Sequence, residues 1–427
     1  MSPLKRLIVE IHRRSLWLEP DKTRTEKSAR PMNFGPRTWC IPVFVLFATL
    51  VSSNGGCAPQ AEIPRDQVLP AIADPTFSYA TPEEVGISSA TLEGLVRLVG
   101  SWVSDGEIIG AEFMIVKDRK IVLHEAIGWN DIERGFPMRR NSIFRMRSMT
   151  KPFTGTSVLI LQEEGRLNLD DRVSGYLPSF DNDLSREITL RQLLTHTGGY
   201  VQGGFPAPFY SYGSLREVVD AVGAAGPQHA PGEYRYSDVG SAILGAVVEQ
   251  VSGMPVERFI EARILEPLDM ADTHTRFSIN APWADRMNST YRRSDGSDWT
   301  KYWDNTREQR FPFFRASGGL YSTTMDYARF LAAFMDGGVA HGTRILSEAS
   351  VGEALSPSPH NPEYGLHWMV SRISDLEDVK VFGHGGSDGT IAYAIPELDF
   401  MVLYFTQSRG HSTRQAFVRE ALKVLSR

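Results

Sequence analysis

Strand-like and helix-like segments alternate along this chain, with the strand-like ones near its two ends. Residues 111–129 have the pattern of a strand pair. Residues 153–350 have mainly helical periodicity, interrupted by long polar loops at 278–312. From about residue 364 strand-like runs return, and residues 411–426 predict a closing helix. Strands at both ends with helices between them predict an α+β fold.

An amphipathic helix is expected before the first strands. Thr81-Pro82-Glu83-Glu84 is typical of a helix start. The apolar positions that follow recur at helical spacing: Leu92, Leu95, Val96 and Val99. Between the first two strands, Asp118-Arg119 predicts a turn. Residues 58–75, rich in proline and alanine, precede the helix and are interpreted as a linker.

Residues 32–57 have the features of a targeting segment. Residues 39–51 form an apolar run of thirteen, the length of a signal-peptide core and short of the roughly twenty that a membrane span needs. Cys57 follows small residues, as at a bacterial lipoprotein cleavage site, and is a candidate for lipidation. Met32 is a candidate start, which makes residues 1–31 an uncertain extension. An uncleaved anchor and secretion after cleavage near Ala58 are the alternatives. All three predict an exported protein, periplasmic or attached to the membrane through its N-terminus.

Composition narrows the function classes. The 427 residues are 42% hydrophobic, ample for a large core, and the net charge of −6 gives no indication of nucleic-acid binding. Nucleotide-binding glycine motifs and metal-ligand spacings are absent, so we expect no cofactor and no metal. Both cysteines, Cys40 and Cys57, lie in the targeting region, so no disulfide is expected in residues 76–427. No protein partner is implied.

The most informative motif is Ser148-Met149-Thr150-Lys151. It opens an apolar segment, residues 152–164, that predicts a buried helix ending at Gly165. Residues three apart share a helix face, so Lys151 can reach the Ser148 oxygen. A serine becomes a nucleophile when a neighbouring base takes its proton, and burial favours the neutral amine that this requires. Isolated matches to this pattern are mostly solvated turns, so the interpretation depends on two further motifs.

Those motifs lie at loop junctions. Tyr236-Ser237-Asp238 stands between a turn and an apolar segment, and the Tyr236 phenol is a candidate for proton transfer. His384-Gly385-Gly386-Ser387 joins two strand-like runs, and its glycines let a ligand approach the backbone. The amides of Ser148 and Ser387 can then form an oxyanion hole. Taken alone, these two motifs are better explained as a half-buried aromatic residue and a glycine-rich bulge.

Together the three motifs resemble those of the serine β-lactamase and penicillin-binding-protein superfamily. The closest likeness is to its class C branch, which includes class C β-lactamases, D-alanyl-D-alanine carboxypeptidases and family VIII carboxylesterases. The likeness extends from about Pro82 to the C-terminus and includes residues 193–199, 316–323 and 364–368. It implies an antiparallel sheet from both chain ends flanked by helices. A mostly α-helical subdomain at about 153–350 would be inserted in the hydrolase domain, with the active site between the two parts.

The resemblance also implies roles for individual residues. Ser148 matches the acylated nucleophile, Lys151 its base partner and Tyr236 the second proton-transfer residue. The backbone amides of Ser148 and Ser387 match the oxyanion hole. Residues expected to bind the substrate are Asp238, His384, Gly385 and Gly386.

Two of these positions depart from the family pattern. Asp238 stands where asparagine is usual. Its carboxylate cannot donate a hydrogen bond to a substrate amide, but it can bind Lys151 and hold that lysine charged. His384 stands where class C β-lactamases have lysine. Because histidine is mostly neutral at pH 7, it favours a neutral ester or amide substrate over one with a carboxylate.

A second serine motif offers a competing nucleophile. Residues 385–389 match G-x-S-x-G, the nucleophile elbow of α/β-hydrolases, with Ser387 as nucleophile and Asp399 and His411 as partners. The elbow requires a helix after the serine, whereas residues 390–395 predict a strand. We therefore prefer Ser148.

The remaining histidines and aromatic residues have structural interpretations. His196, His274 and His367 are expected to be structural, with His196 anchoring a loop. Aromatic side chains in the loops are expected to cover the core more often than to line an acyl pocket: Phe205, Phe209, Tyr210, Tyr212, Trp299, Tyr302, Trp303, Phe311, Phe313 and Phe314.

Three functional hypotheses follow. The leading one is a serine hydrolase that forms an acyl-enzyme on Ser148, a carboxylesterase acting on small to medium acyl esters. The second is a β-lactamase or D-alanyl-D-alanine carboxypeptidase on the same scaffold. The third is a non-catalytic penicillin-sensing or acyl-binding module, which Asp238 keeps open.

Overall fold

The computed structural model describes residues 63–66, 75–294, 297–309, 311–373 and 379–425. The predictions for the targeting region, including lipidation of Cys57, lie outside the described residues. Within them, the strands are β1 Ser78–Tyr79, β2 Gly110–Lys117, β3 Lys120–Asp131, β4 Phe136–Pro137, β5 Phe144–Arg145, β6 Thr290–Arg292, β7 Thr300–Trp303, β8 Tyr321–Ser322, β9 Val339–Ala340, β10 Thr343–Arg344, β11 Met369–Ile373, β12 Val379–Gly385, β13 Ile391–Ile395, β14 Phe400–Thr406 and β15 Ser408–Arg409.

The described helices are mostly in the middle of the chain. Their bounds are α1 Ser89–Ser104, α2 Lys151–Glu163, α3 Leu190–Leu194, α4 Leu215–Ala225, α5 Asp238–Ser252, α6 Val256–Ile260, α7 Thr324–Met335, α8 Glu348–Ala354 and α9 Thr413–Leu422. Short 3-10 turns connect several of them.

Strands from both chain ends form one central sheet, as predicted. Their order is β1-β3-β2-β14-β13-β12-β11, and β4 pairs with β3 beside this path. The β1–β3 pair is parallel and the other neighbours are antiparallel. Between β2 and β3, Asp118 and Arg119 have φ angles of 52° and 59°, which gives the predicted tight turn. The α+β fold class is confirmed.

The predicted start of the first helix was wrong by seven residues. Pro82–Val85 makes only a 3-10 turn, which ends at Gly86 with a left-handed φ of 74°. Helix α1 begins at Ser89 after the N-cap residue Ser88. Proline and the acidic pair suit a helical first turn, but the glycine ends it before a second turn can form.

Helices cover both faces of the sheet. On one face α1 and α9 pack together and against β3 and β14. On the other face α7 contacts β13 and β14, and the central helices α2 and α5 pack against each other beyond it. One hydrophobic core runs from the sheet into these helices without interruption. The C-terminal end of β12 and the start of α2 therefore meet on this second face.

Two segments that were predicted as a loop and a linker have more structure than expected. The predicted loop region 278–312 contains a hairpin, β6–β7, whose first strand also pairs with β15. In the predicted linker, Arg65 forms a 2.6 Å ion pair with Glu125 of β3.

Within the described residues, no single helix has the length and apolar character to cross a membrane. The segments Asp238–Ser252 and Val256–Leu265 together have enough length and apolar character for a membrane span, but they are bent by 78° to each other.

Candidate active site

Ser148 lies in a 3-10 turn, Arg147–Thr150, that continues directly into α2. Helix α2 begins at Lys151, one residue before the predicted start, and Gly165 follows its end with a φ of 68°. The Lys151 Nζ atom lies 3.4 Å from Ser148 Oγ. Ser148 is partly exposed, whereas Lys151 is fully buried. A substrate can thus reach the hydroxyl while the amine behind it remains shielded from solvent.

The loop between β7 and β8 fixes the turn that carries Ser148. The Thr154 hydroxyl donates to the Ala316 carbonyl at 2.7 Å, and the Leu320 amide donates to the Thr150 hydroxyl at 3.1 Å. Gly318 packs beside the Arg147 backbone, since a Cβ atom built on it would lie 3.4 Å from the Arg147 Cα atom, in ordinary van der Waals contact. Residues 316–323, singled out by the family resemblance, therefore form the wall behind the nucleophile turn.

Asp238 is the closest partner of Lys151. The distance from Nζ to Asp238 Oδ1 is 2.5 Å, and Nζ also lies 4.6 Å from the centre of the Tyr236 ring. Burial alone would lower the pKa of Lys151, but the Asp238 charge outweighs it and raises that pKa. Burial would likewise raise the pKa of Asp238, but Lys151 and Arg315 hold it below its usual range. The resting site therefore contains a lysine–carboxylate ion pair.

The other Asp238 oxygen is also occupied. Gln202 Nε2 donates to Asp238 Oδ2 at 2.8 Å, and the Asp238 amide donates to Gln202 Oε1 at 3.0 Å. Arg315 Nη2 lies 3.7 Å from the same Oδ2. Asp238 thus directs its charge toward three donors of the protein.

Tyr236 adjoins this pair through its ring. Its hydroxyl oxygen is buried and makes no hydrogen bond of standard geometry within the described parts of the chain, but Lys151 and Ser148 both lie close enough to lower its pKa. Burial raises the pKa of Tyr236, although the Lys151 charge opposes it, so the phenol is neutral at rest. The His196 ring packs at 4.5 Å from the Tyr236 ring, and the Arg235 amide donates to the His196 carbonyl at 2.8 Å. His196 anchors the loop that carries Tyr236.

His384 points into the core beside the site. Its Nε2 lies 3.1 Å from the Tyr364 hydroxyl, and its Nδ1 lies 2.9 Å from the Gly385 carbonyl. Burial, with the nearby charge of Lys151, lowers the pKa of His384 to about 3. The ring is therefore neutral and both of its nitrogens already face protein groups. It does not replace the lysine cation of the class C β-lactamases.

The turn after β12 places the third motif against the nucleophile turn. A Cβ atom at Gly386 would lie 2.5 Å from the Met146 carbonyl oxygen, so only glycine permits this approach. Ser387 is exposed, and its amide has no acceptor within the described residues. The Ser148 amide is in the first turn of its helical segment, where N–H groups lack helical acceptors. Both predicted oxyanion donors are thus available.

The competing serine motif is not a nucleophile elbow. Ser387 lies between two antiparallel strands, β12 and β13, instead of between a strand and a helix. Asp399 immediately precedes β14 and His411 follows it, so this strand of seven residues, about 23 Å long, separates the two proposed partners.

The chain matches the β-lactamase family model over residues 91–425. The chain belongs to this family. It is 31% identical over 349 residues to an uncharacterised protein of Mycobacterium tuberculosis, covering 71% of this chain and 86% of that one.

Several solved structures share this fold. The octameric penicillin-binding-protein homologue from Pyrococcus abyssi has a TM-score of 0.67 at 22% identity, covering 78% of this chain and 77% of that one. EstCE1, a hydrolase with promiscuous acyltransferase activity, has a TM-score of 0.65 at 23% identity, covering 78% and 98%. The protein is a β-lactamase-family serine hydrolase with the fold of the penicillin-binding-protein homologues. The superfamily that its sequence motifs predicted is confirmed.

Several residues beside the motifs were missed from sequence. Gln202 and Arg315 bind Asp238, while Arg147 and Asp388 form an ion pair beside the two oxyanion serines. Arg147 offered one signal, since it is a charged residue directly before Ser148, in a turn that leads into a buried helix. Nothing local to Gln202 indicated its position. His274, by contrast, stacks on Trp283 at 4.0 Å, in agreement with a structural role.

Replacing Asp238 with asparagine tests how the carboxylate controls Lys151. Asp238 raises the pKa of Lys151, so its removal should lower that pKa, because burial then acts with less opposition. A neutral lysine would become available at lower pH. We expect the acid limb of the kcat/KM profile to move to lower pH in the Asp238→Asn variant, measured from pH 5 to 11. A profile that stays in place would contradict control of Lys151 by this charge.

Proposed function

We propose that the protein is a carboxylesterase that forms an acyl-enzyme on Ser148 and acts on small to medium acyl esters. The observation that carries this proposal is the 3.4 Å approach of Lys151 Nζ to an accessible Ser148 Oγ. Lys151, in its neutral form, would take the Ser148 proton as Oγ bonds to the ester carbonyl carbon. Tyr236 would pass a proton to the departing alkoxide, and water would then release the acid.

The site favours an acyl group without a charge. The third motif presents the neutral His384 where a cation would meet a substrate carboxylate. Aromatic side chains lie close by, because the Arg315 guanidinium that approaches Asp238 also stacks at 5.1 Å on the Phe209 ring. Phe209 contacts Phe205, Phe311 and Phe313 at ring separations of 4.9, 5.2 and 5.1 Å. These four rings are proposed to form the acyl-side wall.

Arg315 supports a second candidate function. Its guanidinium lies 3.7 Å from Asp238 Oδ2, and its Nε has no hydrogen-bond partner within the described chain. A substrate carboxylate bound there would suit a β-lactamase or a D-alanyl-D-alanine carboxypeptidase. We rank this second because the guanidinium is already stacked on two aromatic rings, those of Phe209 and Phe311. Export to the periplasm, with or without lipidation at Cys57, is proposed for either activity.

Parallel assays with p-nitrophenyl butyrate and nitrocefin separate the two candidates. We expect hydrolysis of the butyrate ester and little turnover of nitrocefin, since the neutral His384 gives the β-lactam carboxylate no partner. Efficient nitrocefin turnover with weak ester hydrolysis would favour the second candidate. Labelling by a fluorescent penicillin without turnover of either substrate would favour a penicillin-sensing module.

A further inference from the structure

An ion pair connects the two turns that carry the oxyanion serines. Arg147 immediately precedes Ser148, and Asp388 immediately follows Ser387. Arg147 Nε donates to Asp388 Oδ2 at 2.6 Å, although the two residues are 241 positions apart in the chain. The Asp388 side chain is 2% exposed and that of Arg147 is 14% exposed. A strong, mostly buried contact thus joins the immediate neighbours of both amides.

Tyr302 completes the contact from a third element. This residue of β7 donates from its hydroxyl to Asp388 Oδ1 at 2.6 Å and accepts from Arg147 Nη2 at 3.3 Å. Each Asp388 oxygen therefore receives a short hydrogen bond, and Arg409 Nη1 lies 3.7 Å from Oδ1. Although burial would raise the pKa of Asp388, the charges of Arg147 and Arg145 hold it below its usual range.

The backbone at Arg147 is strained at the point where the contact is made. Arg147 has a φ of 50°, in the left-handed region that is unfavourable for any residue with a side chain. Such a conformation persists where the surroundings enforce it. The side chain of Arg147 is anchored by Asp388 and Tyr302, and its backbone continues directly into the Ser148 amide. Release of the side chain would free the φ angle that orients this amide.

We propose that Arg147, Asp388 and Tyr302 are positioning residues that hold the Ser148 and Ser387 amides at the spacing required by a tetrahedral oxyanion. This inference rests on the proposed acyl-enzyme chemistry at Ser148. The three side chains act through the backbone of their neighbours and need no contact with the substrate. An oxyanion hole stabilises charge that develops in the transition state, and donors that drift apart weaken the transition state more than the bound ester.

The test begins with Asp388→Asn, which keeps the shape of the side chain and removes its charge. For p-nitrophenyl butyrate we expect kcat to fall by about 10–100-fold while KM changes by less than about threefold. Phenylboronic acid, which becomes a tetrahedral adduct on a serine, should bind less tightly by a factor similar to the loss in kcat/KM. Tyr302→Phe removes one hydrogen bond and should give a smaller loss of the same kind.

The matched control is Asp272→Asn. Asp272 forms a bidentate pair with Arg286 at 2.6 and 2.7 Å, with side chains 41% and 29% exposed, so its loss removes a carboxylate–guanidinium pair that has no hydrogen bond to either serine turn. It should alter thermal stability without changing kcat or boronate affinity. If Asp388→Asn does not fold, Tyr302→Phe provides the same readouts.

The outcomes separate this inference from the proposed function. Failure of a fluorophosphonate to label Ser148 in the wild-type protein would remove the acyl-enzyme on which both depend. Labelling of wild-type Ser148, together with unchanged kcat and boronate affinity in Asp388→Asn and Tyr302→Phe, would overturn only the positioning role. A loss confined to thermal stability, with kcat and boronate affinity unchanged as in Asp272→Asn, would also overturn it.

Discussion

Replacing Ser148 with alanine is expected to reduce hydrolysis of p-nitrophenyl butyrate by about 10⁴-fold or more. The reason is that the acyl group has no other accessible hydroxyl beside a buried amine within the described residues. Lys151 would remain in place but would have no oxygen to activate. The residual rate, measured with a stopped assay over hours, should approach that of the protein-free buffer.

Ser387→Ala distinguishes this nucleophile from the competing serine. The substitution removes the Ser387 hydroxyl but keeps its backbone N–H, so we expect a loss of no more than about tenfold. Intact mass measurement after fluorophosphonate treatment should show one adduct in wild type and in Ser387→Ala, mapped to the peptide that contains Ser148. An adduct that survives in Ser148→Ala and disappears in Ser387→Ala would reverse the assignment.

The motifs were predictable where the chemistry is local. Ser148 and Lys151 are three residues apart, so helix geometry alone brings Nζ toward Oγ. The turn at Asp118 and Arg119 and the strands beside it were predictable for the same reason, because their pattern is complete within twenty residues. The start of α1 was not, since Gly86 ends the first turn and a new N-cap at Ser88 begins the helix.

The sequence alone could not predict the features of the site that depend on contacts between distant segments of the chain. The Lys151–Asp238 pair joins residues 87 positions apart, and it was anticipated only because family motifs placed both in one site. Gln202 and Arg315 complete the shell around Asp238 from two separate loops, and no periodicity marks either of them. For His384, the sequence predicted a contact, but the side chain points in another direction in the structure. The motif predicted a substrate contact, and the structure shows a ring whose nitrogens face Tyr364 and Gly385, a direction that depends on the packing of β12.

Asp238 changes the charge state of the resting active site, compared with a site that has asparagine at this position. The carboxylate holds Lys151 protonated, and a protonated lysine cannot accept the Ser148 proton. Hydrolysis then depends on the fraction of neutral Lys151, which increases with pH. We therefore infer that the wild-type enzyme works best in alkaline solution. At neutral pH the Lys151–Asp238 ion pair should slow the acylation of Ser148.

Replacing Lys151 with methionine should have two separable effects. The first is a loss of kcat by about 10³-fold, since a general base contributes typically 10²–10⁴-fold and methionine has no basic atom. The second is a loss of folding stability of at most about 3 kcal/mol, because Asp238 keeps a partly buried charge without its closest partner. Gln202 and Arg315 still bind the carboxylate and limit this cost. Kinetics and urea denaturation would measure the two effects.

The double variant Lys151→Met, Asp238→Asn distinguishes catalysis from stability. Removing both charges eliminates the unpaired carboxylate, so most of the lost unfolding free energy should return. Activity should remain as low as in Lys151→Met, because the base is still absent. Recovery of activity along with stability would mean that Lys151 serves only to neutralise Asp238, and that Tyr236 takes the Ser148 proton instead. Asp238→Asn alone provides the reference, since it keeps the amine and removes only the charge that suppresses it.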